Sequence, residues 1–354
     1  MLFTAILLSL APALALGRPK HDQSGRPRSE HESHVRLLHE YPLGHFVEGI
    51  AVRPNGELLL TLPYIAEVHS INPLHSDHTP KVVHKFQGIS SVFGITEYDH
   101  DVYAVNGGNF SIEEGSVVGT YRVDSLDLTG AEPKAARIAD FPTAQFLNGM
   151  TFLPQWGPGP RNVLVNDVIG GVVYHLDPTS GDYHVALNNT YTQAHQHPVL
   201  GSFGVNGIKI GDGMAYLTNT GLGALVRFPI HPNGTEVEGG PVEILSRQDN
   251  STWFYDDFAL RDTTAYVTTG SGNSIERVVA PSVGAGGLIG TDIVAGSLNS
   301  TAVAGPTAAA FGRTDRDRHI LYVTTSGAAN VPVDGKIRVG AQVLAVDTRL
   351  CTWI

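Results

Sequence analysis

The sequence predicts an all-β fold: a six-bladed β-propeller closed by an N-terminal strand in its last blade. Three observations carry this. A pattern of apolar run, tight turn and second apolar run occurs six times, opening at residues 48, 93, 148, 206, 257 and 306. The resulting intervals of 45 to 58 residues, with several short strands each, are those of propeller blades. No sustained helical period follows the leader, and 40 Gly and 21 Pro with only 16% charged residues suit a chain of turns and short strands.

Taken in order, Met1 to about Gly17 is an apolar run ending in small residues, as in a secretory signal peptide, and it is too short for a membrane span. Residues 18–34 are polar and bear Pro and Gly, which reads as a disordered linker before a propeller over 35–354. Val35 to Tyr41 alternates like an outer strand, and the sixth copy lacks such a run of its own after Ala341 to Asp347. The N-terminal strand is therefore expected to complete the last blade and remove an open sheet edge. The first copy is Glu48-Gly49-Ile50-Ala51-Val52, turning at Asn55-Gly56. The second starts at Phe93-Gly94, the third at Asn148-Gly149-Met150, and the fourth at Asn206-Gly207 with a hairpin at Gly211-Asp212-Gly213. Asp257-Phe258 and Pro306-Thr307 open the fifth and sixth.

Charge and cysteine content bound the function. The chain carries 23 basic and 34 acidic residues with no basic cluster, so nucleic acid and acidic membrane surfaces are poor partners. Cys351 is the only cysteine, so no intramolecular disulfide can form. Five Asn-X-Ser/Thr sequons, at Asn109, Asn188, Asn233, Asn250 and Asn299, fall in expected loops. With the leader they point to the secretory pathway, and to a secreted or vacuolar protein with no membrane span after cleavage.

In a propeller, the residue that opens each innermost strand faces the central channel. Glu48, Asn148, Asn206 and Asp257 would converge there as two carboxylates and two carboxamides, an all-oxygen donor set suited to Ca²⁺ or Mg²⁺. Aromatic residues crowd the same openings: Phe46, Phe93, Phe146, Phe203 and the run Trp253-Phe254-Tyr255. They suggest an apolar funnel for a hydrophobic small molecule. The loops that follow the second strands add small polar groups, among them Tyr64, Asn166-Asp167, Asn219 and Thr269, but no nucleophile elbow, zinc-protease, Walker or Rossmann motif occurs. His195 and His197 form a local pair that could bind metal, although a solvated loop is the plainer reading.

Glu48-Gly49, Asn148-Gly149, Asn206-Gly207 and Tyr255-Asp256-Asp257 resemble the metal-ligand positions of the SMP-30/gluconolactonase/strictosidine-synthase-like six-bladed propellers. The resemblance covers residues 35–354 and implies a divalent cation at the channel mouth. The chain departs from that pattern at Phe93 and in its shortened Asn148-Gly149-Met150 motif, which argues against sugar-lactone hydrolysis. Leader, sequons and aromatic funnel together are similar to a narrower group, the fungal hetero-Diels–Alderases of tropolone-sesquiterpenoid biosynthesis. That likeness implies dehydration of a hydroxymethyl tropolone to an o-quinone methide and its addition to a humulene-type alkene, a cycloaddition that needs no cofactor.

On this reading Glu48, Tyr255 and Asp257 are the candidate proton-transfer and donor groups, while Asn148 and Asn206 orient the tropolone oxygens. Phe46, Phe93, Phe146, Phe203, Phe254, Asn219 and Thr269 line the substrate site. Two alternatives stand beside it: a divalent-metal-dependent lactonase or esterase, and a non-catalytic propeller that binds a hydrophobic ligand.

Overall fold

A computed structural model describes residues 34–111, 113–155, 159–248, 252–284 and 290–350. The leader, linker residues 18–33, Asn250 and Cys351 lie outside the described residues.

Six four-stranded antiparallel sheets form the blades. From the channel outward, blade 1 is Ile50–Val52, Leu58–Leu62, Glu67–Ile71 and Lys81–Lys85. Blade 2 is Ser91–Asp99, Val102–Gly108, Arg122–Asp127 and Lys134–Asp140. Blade 3 is Leu147–Phe152, Val163–Asp167, Val172–Leu176 and Tyr183–Leu187. Blade 4 is Val205–Gly211, Met214–Asn219, Ala224–Pro229 and Glu243–Arg247. Blade 5 is Phe258–Arg261, Thr264–Thr268, Ser274–Val279 and Asp292–Gly296. Blade 6 takes Pro306–Phe311, Ile320–Thr325 and Gln342–Asp347 from the C-terminal end and Val35–Glu40 from the N-terminal end. The closure expected from the sequence is present, with Val35 opposite Val346 and Glu40 opposite Gln342.

Apolar side chains fill the seams between blades. Leu58 and Leu60 of blade 1 pack with Tyr322 and Val343 of blade 6, and Leu59 and Val68 on the other side of blade 1 pack with Tyr103 and Val105 of blade 2. Consecutive strand residues point to opposite faces, and both faces of each blade meet a neighbour. This explains why the second strands, such as Leu58–Leu62 and Val163–Asp167, are buried along their whole length. Two short ribbons, Phe110–Ser111 with Gly115–Ser116 and His195–His197 with Gly201–Phe203, sit beside the channel mouth. No helix among the described residues is long and apolar enough to cross a membrane.

Candidate functional site

In four blades the ladder between first and second strands skips where the copy opens: between Val92 and Ile95, Leu147 and Met150, Val205 and Ile208, and Pro306 and Ala309. A bulge of this kind re-aims a side chain. A belt of hydrogen bonds then fixes which residue is re-aimed. One polar side chain in each second strand donates to the backbone carbonyl of the next blade's opening residue. Thr61 donates to Phe93 (2.5 Å), Asn106 to Asn148 (2.5 Å) and Asn166 to Asn206 (2.5 Å). Thr218 donates to Asp256 (2.6 Å), Thr268 to Thr307 (3.0 Å), and Thr324 closes the ring on Glu48 (2.9 Å). The axial positions are therefore Glu48, Phe93, Asn148, Asn206, Asp256 and Thr307.

This corrects the expected register in blades 5 and 6 by one residue. The first four opening residues are followed by Gly49, Gly94, Gly149 and Gly207, where an added Cβ would collide with the next blade. At Gly149 it would overlap the Asn206 carbonyl oxygen. In blade 5 Asp257 stands at the glycine position, so its carboxylate lies beside Gly207 and is paired with Lys209 at 2.6 Å. Asp256, and not Asp257, faces the axis.

Two carboxyl–carboxamide pairs meet at the axis. Asn148 Nδ2 donates to Glu48 Oε1 at 2.8 Å, a bridge from blade 3 to blade 1 that only axis-facing side chains can make. Asn206 Nδ2 donates to Asp256 Oδ1 at 2.7 Å and to Thr220 Oγ1 at 3.1 Å. All four residues are buried. Burial raises the Glu48 pKa to about 7 against the pull of the Asn148 hydrogen bond, and repulsion from Asp257 adds to the rise. Asp256 is pushed well above the usual carboxylate range, first by burial and then by repulsion from Glu48 and Asp257. Repulsion between the two buried carboxyls disfavours their joint ionisation.

The other expected catalytic group lies elsewhere. Tyr255 is fully buried in the seam between blades 4 and 5, where its hydroxyl contacts Ser246 Oγ at 2.6 Å and donates to Glu276 Oε2 at 2.7 Å. Two expected substrate contacts are also structural. Asn219 spends its amide on the carbonyls of Tyr191 and Gln193 and receives the Leu222 N–H, and Thr269 is tied to Ser274. His197 is buried rather than solvated: Nε2 meets the Trp253 carbonyl, and Nδ1 accepts the N–H groups of Val199 and Leu200. His195 contacts the Thr190 carbonyl through Nε2.

The expected phenylalanines assemble into an arc of rings over blades 1 to 3. Phe46 meets Tyr64 edge-on, Tyr64 stacks with Phe110, and Phe110 stacks with Phe146 at 5.2 Å. Phe93 abuts Phe110 and Phe146 edge-on, and Phe203 extends the arc from the second ribbon. Asp167 holds the Phe146 approach in place by accepting the N–H groups of Gln145, Phe146 and Gly170. Phe110 was not expected; its only sequence signal is its place directly after the Asn106–Asn109 loop. On the far side, Phe254, Asp256, Ser271, Thr307, Ser326 and Asn330 help to line a small, open pocket.

Among the described residues no cluster of three or more His, Cys, Asp or Glu could hold a metal ion. The axial set is of a different kind, with two carboxyls and two carboxamides. Both amides turn Nδ2 to the carboxyls, so Glu48, Asn148, Asn206 and Asp256 would hold a hard cation through oxygen only with the two amide groups turned over.

No family model matches the sequence. A proposed hetero-Diels-Alderase from Phoma sp is 31% identical over 318 residues, which cover 82% of this chain and 86% of the relative. A second, from Sarocladium schorii, is 30% identical over 345 residues, covering 88% of this chain and 83% of the relative. Among solved structures, the luciferin-regenerating enzyme aligns with a TM-score of 0.61 at 14% identity, covering 88% of this chain and 94% of its own. Regucalcin from Agrobacterium tumefaciens, described as calcium-binding, aligns at 0.57 and 14% identity with the same coverage. The two structural likenesses establish the propeller alone, whereas the sequence identity goes further: the chain belongs to the hetero-Diels-Alderase family.

Proposed function

We propose that this chain dehydrates a hydroxymethyl tropolone and adds the resulting o-quinone methide to a humulene-type sesquiterpene at the mouth of the propeller channel. The observation that carries the reading is the pair of buried carboxyls, Glu48 and Asp256, set beside an arc of aromatic rings. Dehydration breaks the C–O bond of the CH₂OH arm. One carboxyl of the pair, protonated, gives its proton to the departing hydroxyl, and the other, ionised, takes the ring hydroxyl proton, so water leaves and charge balances. The cycloaddition needs no proton. One C–C bond joins the methide carbon to an alkene carbon, and one C–O bond joins the ring oxygen to the other.

For that second step the protein supplies proximity, an apolar environment and a hydrogen bond to the diene oxygen from the protonated carboxyl. The Asn148 and Asn206 amides hold the carboxyls in place. A Ca²⁺ or Mg²⁺ at the same four residues would polarise the tropolone oxygens. Of the other readings, metal-dependent lactone hydrolysis draws support from that oxygen donor set, but the aromatic arc suits hydrocarbon better than sugar. We further propose passage through the secretory pathway, supported by the leader and by the exposed sequons Asn188, Asn233 and Asn299.

The test is to supply the hydroxymethyl tropolone and humulenol to Glu48→Gln and Asp256→Asn, and separately to supply the o-quinone methide generated chemically. Each variant is expected to lose about 100-fold or more in adduct formation from the alcohol and to recover most of it with the preformed methide. Unchanged rates from the alcohol in both variants would overturn the acid–base assignment.

A further inference from the structure

We propose that the Tyr64 hydroxyl is a hydrogen-bond donor of the channel mouth, acting beside Glu48 on a carbonyl or phenolic oxygen of the bound ligand. The inference rests on the reaction proposed above and adds a second donor for the diene oxygen, next to the protonated carboxyl.

The backbone at Tyr64 is held against its preference. Loop 63–66 turns the Leu58–Leu62 strand into Glu67–Ile71 at the mouth end of blade 1. The φ of Tyr64 is 70°, in the left-handed region that a bulky side chain rarely enters. Loops 168–171 and 220–223 make the same connection with the same length in blades 3 and 4, and they take a positive φ only at the last residue, Gly171 and Gly223. Ala66, at 52°, answers to that last position in blade 1. Tyr64 is therefore a departure that the turn itself does not require. Such outliers persist where the surroundings over-determine them, and they cluster at ligand sites. Here Tyr64 N–H donates to Ser91 Oγ at 3.1 Å, and the Ser91 hydroxyl donates to the Phe110 carbonyl at 3.2 Å. The Tyr64 ring stacks on Phe110 at 6.1 Å and meets Phe46 edge-on at 5.9 Å.

Backbone and ring are tied down, but the hydroxyl is not. Tyr103, Tyr121, Tyr255 and Tyr322, all buried, pair their hydroxyls with Asp101, Ser116, Glu276 and Asp317. The half-buried Tyr64 hydroxyl makes no hydrogen bond among the described residues. Burial pushes this phenol above its usual range, and the charges of Glu48 and then Glu113 add to the rise. The proton thus stays on oxygen over the range in which Glu48 titrates, and the phenol is within electrostatic reach of that carboxyl. A donor without an internal partner, set among aromatic rings, stabilises an acceptor on which negative charge develops. The diene oxygen becomes such an acceptor as the cycloaddition proceeds.

Tyr64→Phe keeps the ring contacts and deletes only the oxygen. Tropolone is titrated by calorimetry into wild type and variant, and adduct formation is followed from the preformed o-quinone methide and humulenol, which bypasses the acid–base step. The variant is expected to melt as the wild type does, to bind tropolone about 10-fold more weakly and to form adduct about 10-fold more slowly. Tyr64→Gly suits the positive φ and supplies a second hydroxyl-free protein if the Phe variant does not fold. Tropolone affinity equal to that of the wild type in a folded variant would overturn the donor assignment. A wild type that binds tropolone more tightly than Tyr64→Phe yet forms no adduct would leave the donor standing and overturn the reaction. A wild type that binds no tropolone would overturn both.

Discussion

Glu48 is a carboxyl whose surroundings decide its charge. Burial raises its pKa from 4.5 to about 7, so the folded protein holds a proton that the unfolded chain releases above 4.5. Stability from this group is therefore fully present below pH 4.5 and is lost as pH rises through 7. Across that window the unfolding free energy should fall by up to about 1.4 kcal/mol per pH unit. Glu48→Gln keeps the shape and an acceptor for Asn148 but cannot titrate. Denaturant melts of chelator-treated protein between pH 4.5 and 7.5 should show the wild type losing stability relative to Glu48→Gln, and a constant difference between them would contradict the buried, protonated carboxyl. Asp256 shifts in the same direction, and it remains in both proteins compared.

At the scale of the element, the belt couples each second strand to the next blade's axial residue. Thr218 both accepts the Gly207 N–H at 2.8 Å and donates to the Asp256 carbonyl, so Thr218→Val strands two buried backbone groups. A loss of about 2 kcal/mol in unfolding free energy is expected, with a lower melting temperature and reduced adduct formation. Thr218→Ser should restore both. A Val variant as stable and active as wild type would show the belt to be incidental. The belt also explains where the sequence was legible and where it was not. Apolar runs and turns gave away all six blades, and Glu48, Asn148 and Asn206 stood out because a glycine follows each. Copies five and six have no such glycine, so the sequence pattern points to Asp257 and Pro306 where the structure puts Asp256 and Thr307 on the axis. Side chains alternate along a strand, and a one-residue error therefore also moved Tyr255 from the seam to the funnel. Asn219 and Thr269 bond to backbone carbonyls, and loop polar residues of this kind look, in sequence, like ligand contacts.

In the whole molecule, six seams of apolar packing and the Val35–Glu40 closure hold the axial residues at fixed separations. The ring brings together residues a hundred positions apart, such as Glu48 and Asn148. The channel positions the buried carboxyls of Glu48 and Asp256, and the loops and ribbons around its mouth carry the aromatic arc. In the proposed reaction, control over the product comes from how the mouth holds two reactants, and selectivity is its signature. The most direct measurement is chiral chromatography of the adduct formed from the hydroxymethyl tropolone and humulenol with and without the purified protein, alongside an assay of a simple lactone. The expected result is one predominant stereoisomer formed faster than in the protein-free mixture, with no lactone turnover. A stereoisomer mixture and rate equal to the uncatalysed reaction, or chelator-sensitive lactone hydrolysis, would contradict the account.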